Sequence, residues 1–143
     1  MPYQFLEDTA TADIAFEASG QTLEEVFIAS AEATLNVMIE DLETVRPVEE
    51  RDISLSDTSL EMLLFNFLQE VIFYKDAEQL LLRTSNCRIE ESADGFHLTA
   101  SGRGERLDPA RHSQRVDVKA VTLHQFRLEQ LDRHWRAHVI LDI

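Results

Sequence analysis

Between Leu60 and Phe73 the chain places Leu60, Met62, Leu63, Leu64, Phe65, Phe67, Leu68, Val71, Ile72 and Phe73, more apolar side chains than one stripe of a helix can carry. Thr58 and Glu61 frame the start of this run as a capping box, in which a hydroxyl and a carboxylate satisfy the first free amides of a helix. A helix that is apolar on more than one stripe must be covered on most of its sides. The rest of the chain therefore has to supply the cover. Asn66, Gln69 and Glu70 are its polar exceptions and are expected to face solvent or to be satisfied locally.

The cover is expected to be mainly β-structure. Tyr3 to Ser19 alternates apolar positions (Tyr3, Phe5, then Ile14, Phe16, Ala18), with Glu7 to Thr11 as a polar interruption between two strand pieces. Gly20 marks a turn, and Thr22-Leu23-Glu24-Glu25 is a second capping box that opens a helix to about Ile39. That helix shows one apolar stripe, with Ser30 and Thr34 interleaved on it. Pro47 ends any helical continuation, and Ile53 and Leu55 mark a strand over 49–56. From Gln79 onward the pattern is that of strands. Asp94-Gly95 is a hairpin turn, and 101–115 is a basic, mobile loop carrying Arg103, Arg106, Arg111, His112 and Arg115. Val116 to Glu129 and Trp135 to Ile143 then pair as a hairpin. Two helices packed on a largely antiparallel β-sheet make a single α+β domain spanning 1–143.

At 143 residues the chain is long enough to bury a core without staples. Its one cysteine, Cys87, cannot form an internal disulfide and reads as a small strand hydrophobe. No apolar run is long enough to span a bilayer, and the opening Met-Pro-Tyr-Gln-Phe-Leu-Glu-Asp lacks the basic region of a secretory signal, so a cytoplasmic location is expected. The net charge of −14 is uneven: residues 1–80 hold 18 acids against 3 bases, and residues 81–143 hold 9 against 10. Direct binding to nucleic acid is disfavoured, because neutralising phosphates takes clustered Lys and Arg. An acidic surface suits a basic partner, and it equally serves solubility.

His134 and His138 stand four apart in a strand without the glutamate of a zinc-protease helix, and no Gly-x-Ser-x-Gly, phosphate loop or paired-cysteine motif occurs. What remains is oxygen chemistry. The chain stays apolar to its last residue, so the final strand is expected to be tied down, with Asp142 on the face opposite Trp135, Ala137, Val139 and Leu141. Asp13 also projects from the less apolar face of its strand. Asp13, Asp142 and the terminal carboxylate of Ile143 are the donor types that hold Ca²⁺ or Mg²⁺. Pattern alone does not bring Asp13 to Asp142, and two exposed acids are also ordinary surface residues.

Several separated segments resemble the archease family: Phe5-Leu6, Thr11-Ala12-Asp13-Ile14, the Thr22-Leu23-Glu24-Glu25 helix start, Leu64-Phe65-Asn66-Phe67-Leu68, Val118-Lys119-Ala120-Val121-Thr122 and Leu141-Asp142-Ile143. The resemblance implies a small α+β protein, not itself an enzyme, that activates an RtcB-type tRNA-splicing ligase by promoting its guanylylation and multiple turnover. It also implies a metal site for Ca²⁺ or Mg²⁺ at Asp13, Asp142 and Ile143, and a functional role for Lys119. Many archeases carry His immediately before Thr-Ala-Asp. Here that place is Ala10, and Asp8 in the lengthened segment is the candidate additional oxygen donor. Two readings from other classes stand beside this one: a general protein chaperone, and a metal-dependent phosphoester hydrolase using the same carboxylates.

Overall fold

Local signals place most of the elements. The computed structural model describes residues 2–6 and 13–143. Its strands are β1 (Tyr3–Leu6), β2 (Asp13–Gly20), β3 (Glu49–Asp57), β4 (Leu80–Ser92), β5 (Gly95–Arg106), β6 (Ala120–Gln130) and β7 (Trp135–Asp142), and its helices are α1 (Leu23–Met38) and α2 (Leu60–Glu78). At α1 the Thr22 hydroxyl accepts from Glu25 N at 3.1 Å, and the Glu25 carboxylate turns back to Gln21 N at 3.1 Å. At α2 the cap is Ser59 rather than Thr58. Strand β3 runs on to Asp57, whose carboxylate accepts from Ser59 N, and the Ser59 hydroxyl accepts from Met62 N. Helix α2 continues past Phe73 to Glu78, since no Gly or Pro stops it, and ends where Gln79 turns left-handed at φ 53°.

All strand pairs are antiparallel and fall into two sheets, one in the order β1-β2-β7-β6 and one in the order β3-β5-β4. The Asp-Gly signal is realised as the β4–β5 hairpin. Gly95 sits at φ 129°, where a Cβ would meet the Asp57 carbonyl oxygen at 2.7 Å. Each helix packs against both sheets, so the core is shared by all of them. The fold is the expected single α+β domain, built on two sheets.

The more enclosed helix is α1, not α2. Ten of its 16 residues are buried, against six of the 19 in α2, where Phe73 is 55% exposed. Small side chains explain the difference. Ala29, Ala31 and Ala33 let neighbouring elements approach closely, and the buried hydroxyls of Ser30 and Thr34 are satisfied by the carbonyls of Val26 (2.8 Å) and Ser30 (2.9 Å). Counting only large apolar residues understates the burial of such a helix. Around it Phe16, Phe27, Leu35, Phe67 and Leu141 are fully enclosed, each contributing about 1.5–3 kcal/mol of transfer free energy.

Helix side chains also close sheet edges. Gln69 accepts from Val121 N and Glu61 from Leu128 N, both at 3.0 Å, along the free edge of β6, while Glu24 accepts from Ile89 N at 3.3 Å on β4. These contacts block the unpaired amides that would otherwise invite another strand.

The segment after β5 is shorter and more constrained than the sequence suggests. Ser101 to Arg106 belongs to β5, where Arg103 pairs with Glu50 at 2.9 Å and Arg106 with Glu49 at 3.3 Å. Arg111 is forked onto the buried Glu105 carboxylate. Farther on, Glu40 N donates to Ser113 O, and Arg115 N and Val116 N donate to the Met38 and Val37 carbonyls at the end of α1. The segment thereby caps a helix that has no terminal glycine. The expected mobile basic loop is instead a pinned one, and its first three arginines are neutralised.

Candidate functional site

Residue parity determines what the end of the four-stranded sheet presents. Ile14, Phe16 and Ala18 of β2 face Leu141, Val139 and Ala137 of β7 across the pair, and all but half-buried Ile14 are buried. The alternate residues point the other way. In that second set Asp13 is the direct partner of Asp142, and Ala120 of β6 is the partner of Asp142 on its other side. Directly opposed residues in an antiparallel pair stand about 4.5–5.5 Å apart, so the two carboxylates are neighbours on one face of the sheet. Both are half-buried.

The end of the chain is held in place. Lys119 N donates to Asp142 O at 2.8 Å, extending the β6 contact, and the half-buried Ile143 side chain packs against the core. Lys119 itself is exposed, with its ammonium unpaired among the described residues. Asp8 lies outside the described residues. One register step inward, Thr122 pairs with Ile140 on the same face, and its hydroxyl oxygen is buried without a hydrogen-bond partner among the described residues. The sequence offered no signal for that orphan oxygen, because a threonine in a strand is ordinary. Farther along, His138 donates from Nδ1 to the Gln125 carbonyl at 2.9 Å, where β6 bulges and Gln125 adopts φ 54°.

Among the described residues no group of three or more His, Cys, Asp or Glu is placed so that it could hold a metal ion. The structure thus brings together Asp13, Asp142 and the segment carrying Ile143 and Lys119, and supplies two side-chain carboxylates in direct register. Two like charges held this close repel each other, and fixed register leaves them little room to separate.

The model of the Archease protein family (MTH1598/TM1083) matches residues 3–143. The chain belongs to the archease family. Among its archease relatives, the "Protein archease" of Thermococcus gammatolerans is 39% identical over 134 residues, covering 93% of this chain and 94% of the relative. That of Pyrococcus abyssi is 38% identical over the same shares. The solution structure of Methanobacterium thermoautotrophicum protein 1598 superimposes with a TM-score of 0.86 at 36% identity, covering 99% of each chain. A crystal structure from Thermotoga maritima, described as an archease and possible chaperone, shares the fold with a TM-score of 0.62 at 22% identity over 94% of this chain and 93% of that one. Among the described residues no helix is long and apolar enough to cross a membrane.

A second charged cluster lies away from the acid pair and was not anticipated. Glu105, 8% exposed, accepts from Arg46 N at 2.7 Å, from both terminal nitrogens of Arg111, and from His112 Nε2 at 3.0 Å. Asp108 N donates to His112 Nδ1 at 2.9 Å, which leaves the imidazole proton on Nε2, directed at Glu105. The Arg111 guanidinium, helped by the Arg46 amide and His112, holds the Glu105 carboxyl down at about 2. Every member of this node is engaged within the fold, which marks it as structural. Cys87 is likewise structural: burial pushes its thiol up to about 12, far from the thiolate a nucleophile needs.

Proposed function

We propose that this archease is a non-enzymatic protein cofactor of an RtcB-type tRNA-splicing ligase, promoting the ligase's guanylylation and its multiple turnover in the cytoplasm. The observation that carries the reading is the direct register of Asp13 with Asp142 at the end of β2 and β7. Two fixed carboxylates beside a chain terminus form a hard-oxygen donor set, which fits Ca²⁺ or Mg²⁺ better than a softer metal. Asp13, Asp142 and the Ile143 carboxylate are the groups that would hold the cation, and Asp8 is a candidate additional donor. When bound, the cation supplies a concentrated positive charge suited to phosphates at a nucleotidyl-transfer centre.

The chain's own residues do the rest. Packing of Ile143 and the Lys119 amide hold the terminus still, so the acids are presented in one geometry. Lys119, which precedes the Ala120 partner of Asp142 and is exposed, is the candidate cation for an anionic group of the partner. The excess of acids in residues 1–80 favours approach to a basic, RNA-binding surface by long-range attraction.

The test is ligase guanylylation with the ligase at catalytic concentration, with and without this protein. The native chain is expected to restore turnover, and Asp142→Asn and a chain extended beyond Ile143 are expected to lose most of that effect. No stimulation by the native chain would refute the activator reading. Full stimulation by both variants would remove the metal site while leaving the activator role.

A further inference from the structure

Phe5 and Leu6 of β1, Ile14 of β2, Val37 of α1, and Arg115 and Val116 of the following segment line a groove of about 280 Å³. Phe5 is 37% exposed and Val116 39%, so apolar surface lies open along it. Its volume falls just below the range of about 300–1,000 Å³ usual for small-molecule pockets, which suits a single anchoring side chain better than a cofactor. Three further observations indicate what such an anchor belongs to.

The first is the neighbouring sheet edge. Ser19 N donates to Pro2 O at 2.7 Å, so by the alternation of an antiparallel ladder the backbone groups of Tyr3 and Phe5 turn to the outer edge of β1. The edges at β6 and β4 carry Gln69, Glu61 and Glu24 as amide-blocking acceptors, and among the described residues β1 has no such side chain. The second is charge. In a chain of net charge −14, Arg115 lies over the Phe5 ring at 6.0 Å and has no carboxylate partner among the described residues. The third is place. Ile14, which lines the groove, follows Asp13, so the groove adjoins the acid end of the sheet.

We infer that the β1 edge and its groove form a docking site for an extended segment of a partner protein, in which an apolar side chain fills the groove and a carboxylate next to it in sequence meets Arg115. The backbone of the segment pairs with the outer edge of β1, which no described strand occupies, as in other complexes formed by strand addition. Arg115, which has no carboxylate partner among the described residues, fixes the register of such a segment, because a neutral or basic neighbour leaves the guanidinium unmatched. Naming the ligase as that partner rests on the function proposed above. The docking site itself does not.

The experiment has two arms. In the first, binding of the ligase to the native protein, Arg115→Glu and Val116→Asp is measured by calorimetry, with thermal unfolding and Ca²⁺ binding recorded for each variant. Binding tenfold weaker or more in both variants, with unfolding and Ca²⁺ binding unchanged, is the expected result. Unchanged affinity in both variants overturns the inference for the ligase. In the second arm, displayed octapeptides are selected on the native protein and on Arg115→Glu without any ligase. Enrichment of an acidic residue beside a large apolar one, lost on Arg115→Glu, supports the docking site even if the ligase does not bind. Absence of that enrichment overturns it. A concentration-dependent dimer abolished by Arg115→Glu would also overturn it, by giving the edge to a second copy of this chain.

Discussion

Replacing Glu105 by glutamine keeps the shape of the node that joins β5 to the following segment and removes only its charge. The carboxylate is the common acceptor for Arg46 N, both terminal nitrogens of Arg111 and His112 Nε2, and its side chain is 10% exposed. Its carboxyl is held at about 2 instead of the ordinary 4.5, with Arg111 as the largest cause. Each unit of such a gap corresponds to about 1.4 kcal/mol, so the charged form contributes at most about 3 kcal/mol. Removing one partner of a largely buried ion pair has a cost of the same order. Because the folded value is depressed, this stability is fully present above 4.5 and is lost as pH falls through about 2. Glu105→Gln should therefore unfold by up to about 9–12 °C below the native protein at neutral pH, at about 3–4 °C per kcal/mol for a chain of this size. Scanning calorimetry from neutral pH down to the acid limb should show the two curves converging. A deficit that stays constant with pH, or no deficit at neutral pH, would refute the assignment of the stability to the ionised carboxylate.

Other outcomes follow from single contacts. Asp142→Asn should weaken Ca²⁺ binding at least tenfold by calorimetry while leaving the melting temperature equal or slightly higher, since it relieves repulsion with Asp13 across the strand pair. Thr122→Val removes a buried hydroxyl that has no partner among the described residues, so chemical denaturation should show stability unchanged or raised by about 1 kcal/mol. Gln69→Ala leaves the Val121 amide on the β6 edge without its acceptor and should cost about 1 kcal/mol in the same assay. With its thiol pushed up to about 12, Cys87 should label with a disulfide reagent at pH 8 far more slowly in the folded protein than in denaturant.

The legible parts of this fold were those in which one residue's chemistry decides a local geometry. The hydroxyl of Thr22 can cap only a helix that begins beside it, and Gly95 tolerates a φ that a side chain resists. The burial of α1 was not legible in the same way. Its Ala29, Ala31 and Ala33 carry little hydrophobicity each, and their effect lies in the close approach they permit, which depends on what packs there. The basic loop was misjudged for a related reason. Arg103 and Arg106 look like an exposed cationic run until Glu49 and Glu50 on the neighbouring strand are known, and Arg111 until the chain folds back onto Glu105.

The acid pair combines both situations. Strand parity alone places Asp13 and Asp142 on the less apolar faces of their strands, and the apolar ending Leu141 and Ile143 implies an anchored terminus. Their proximity depends on a pairing between strands more than a hundred residues apart, with a register that no local signal encodes. What enforces it is the opposite face. Sliding β7 by one residue would turn Leu141, Val139 and Ala137 out of the core and the acids into it. The apolar row therefore sets the register, and the two carboxylates are held together as a consequence. A core substitution such as Val139→Asp should thus disrupt the acid pair as thoroughly as changing Asp142 itself, and the loss should appear in Ca²⁺ binding and in melting temperature together.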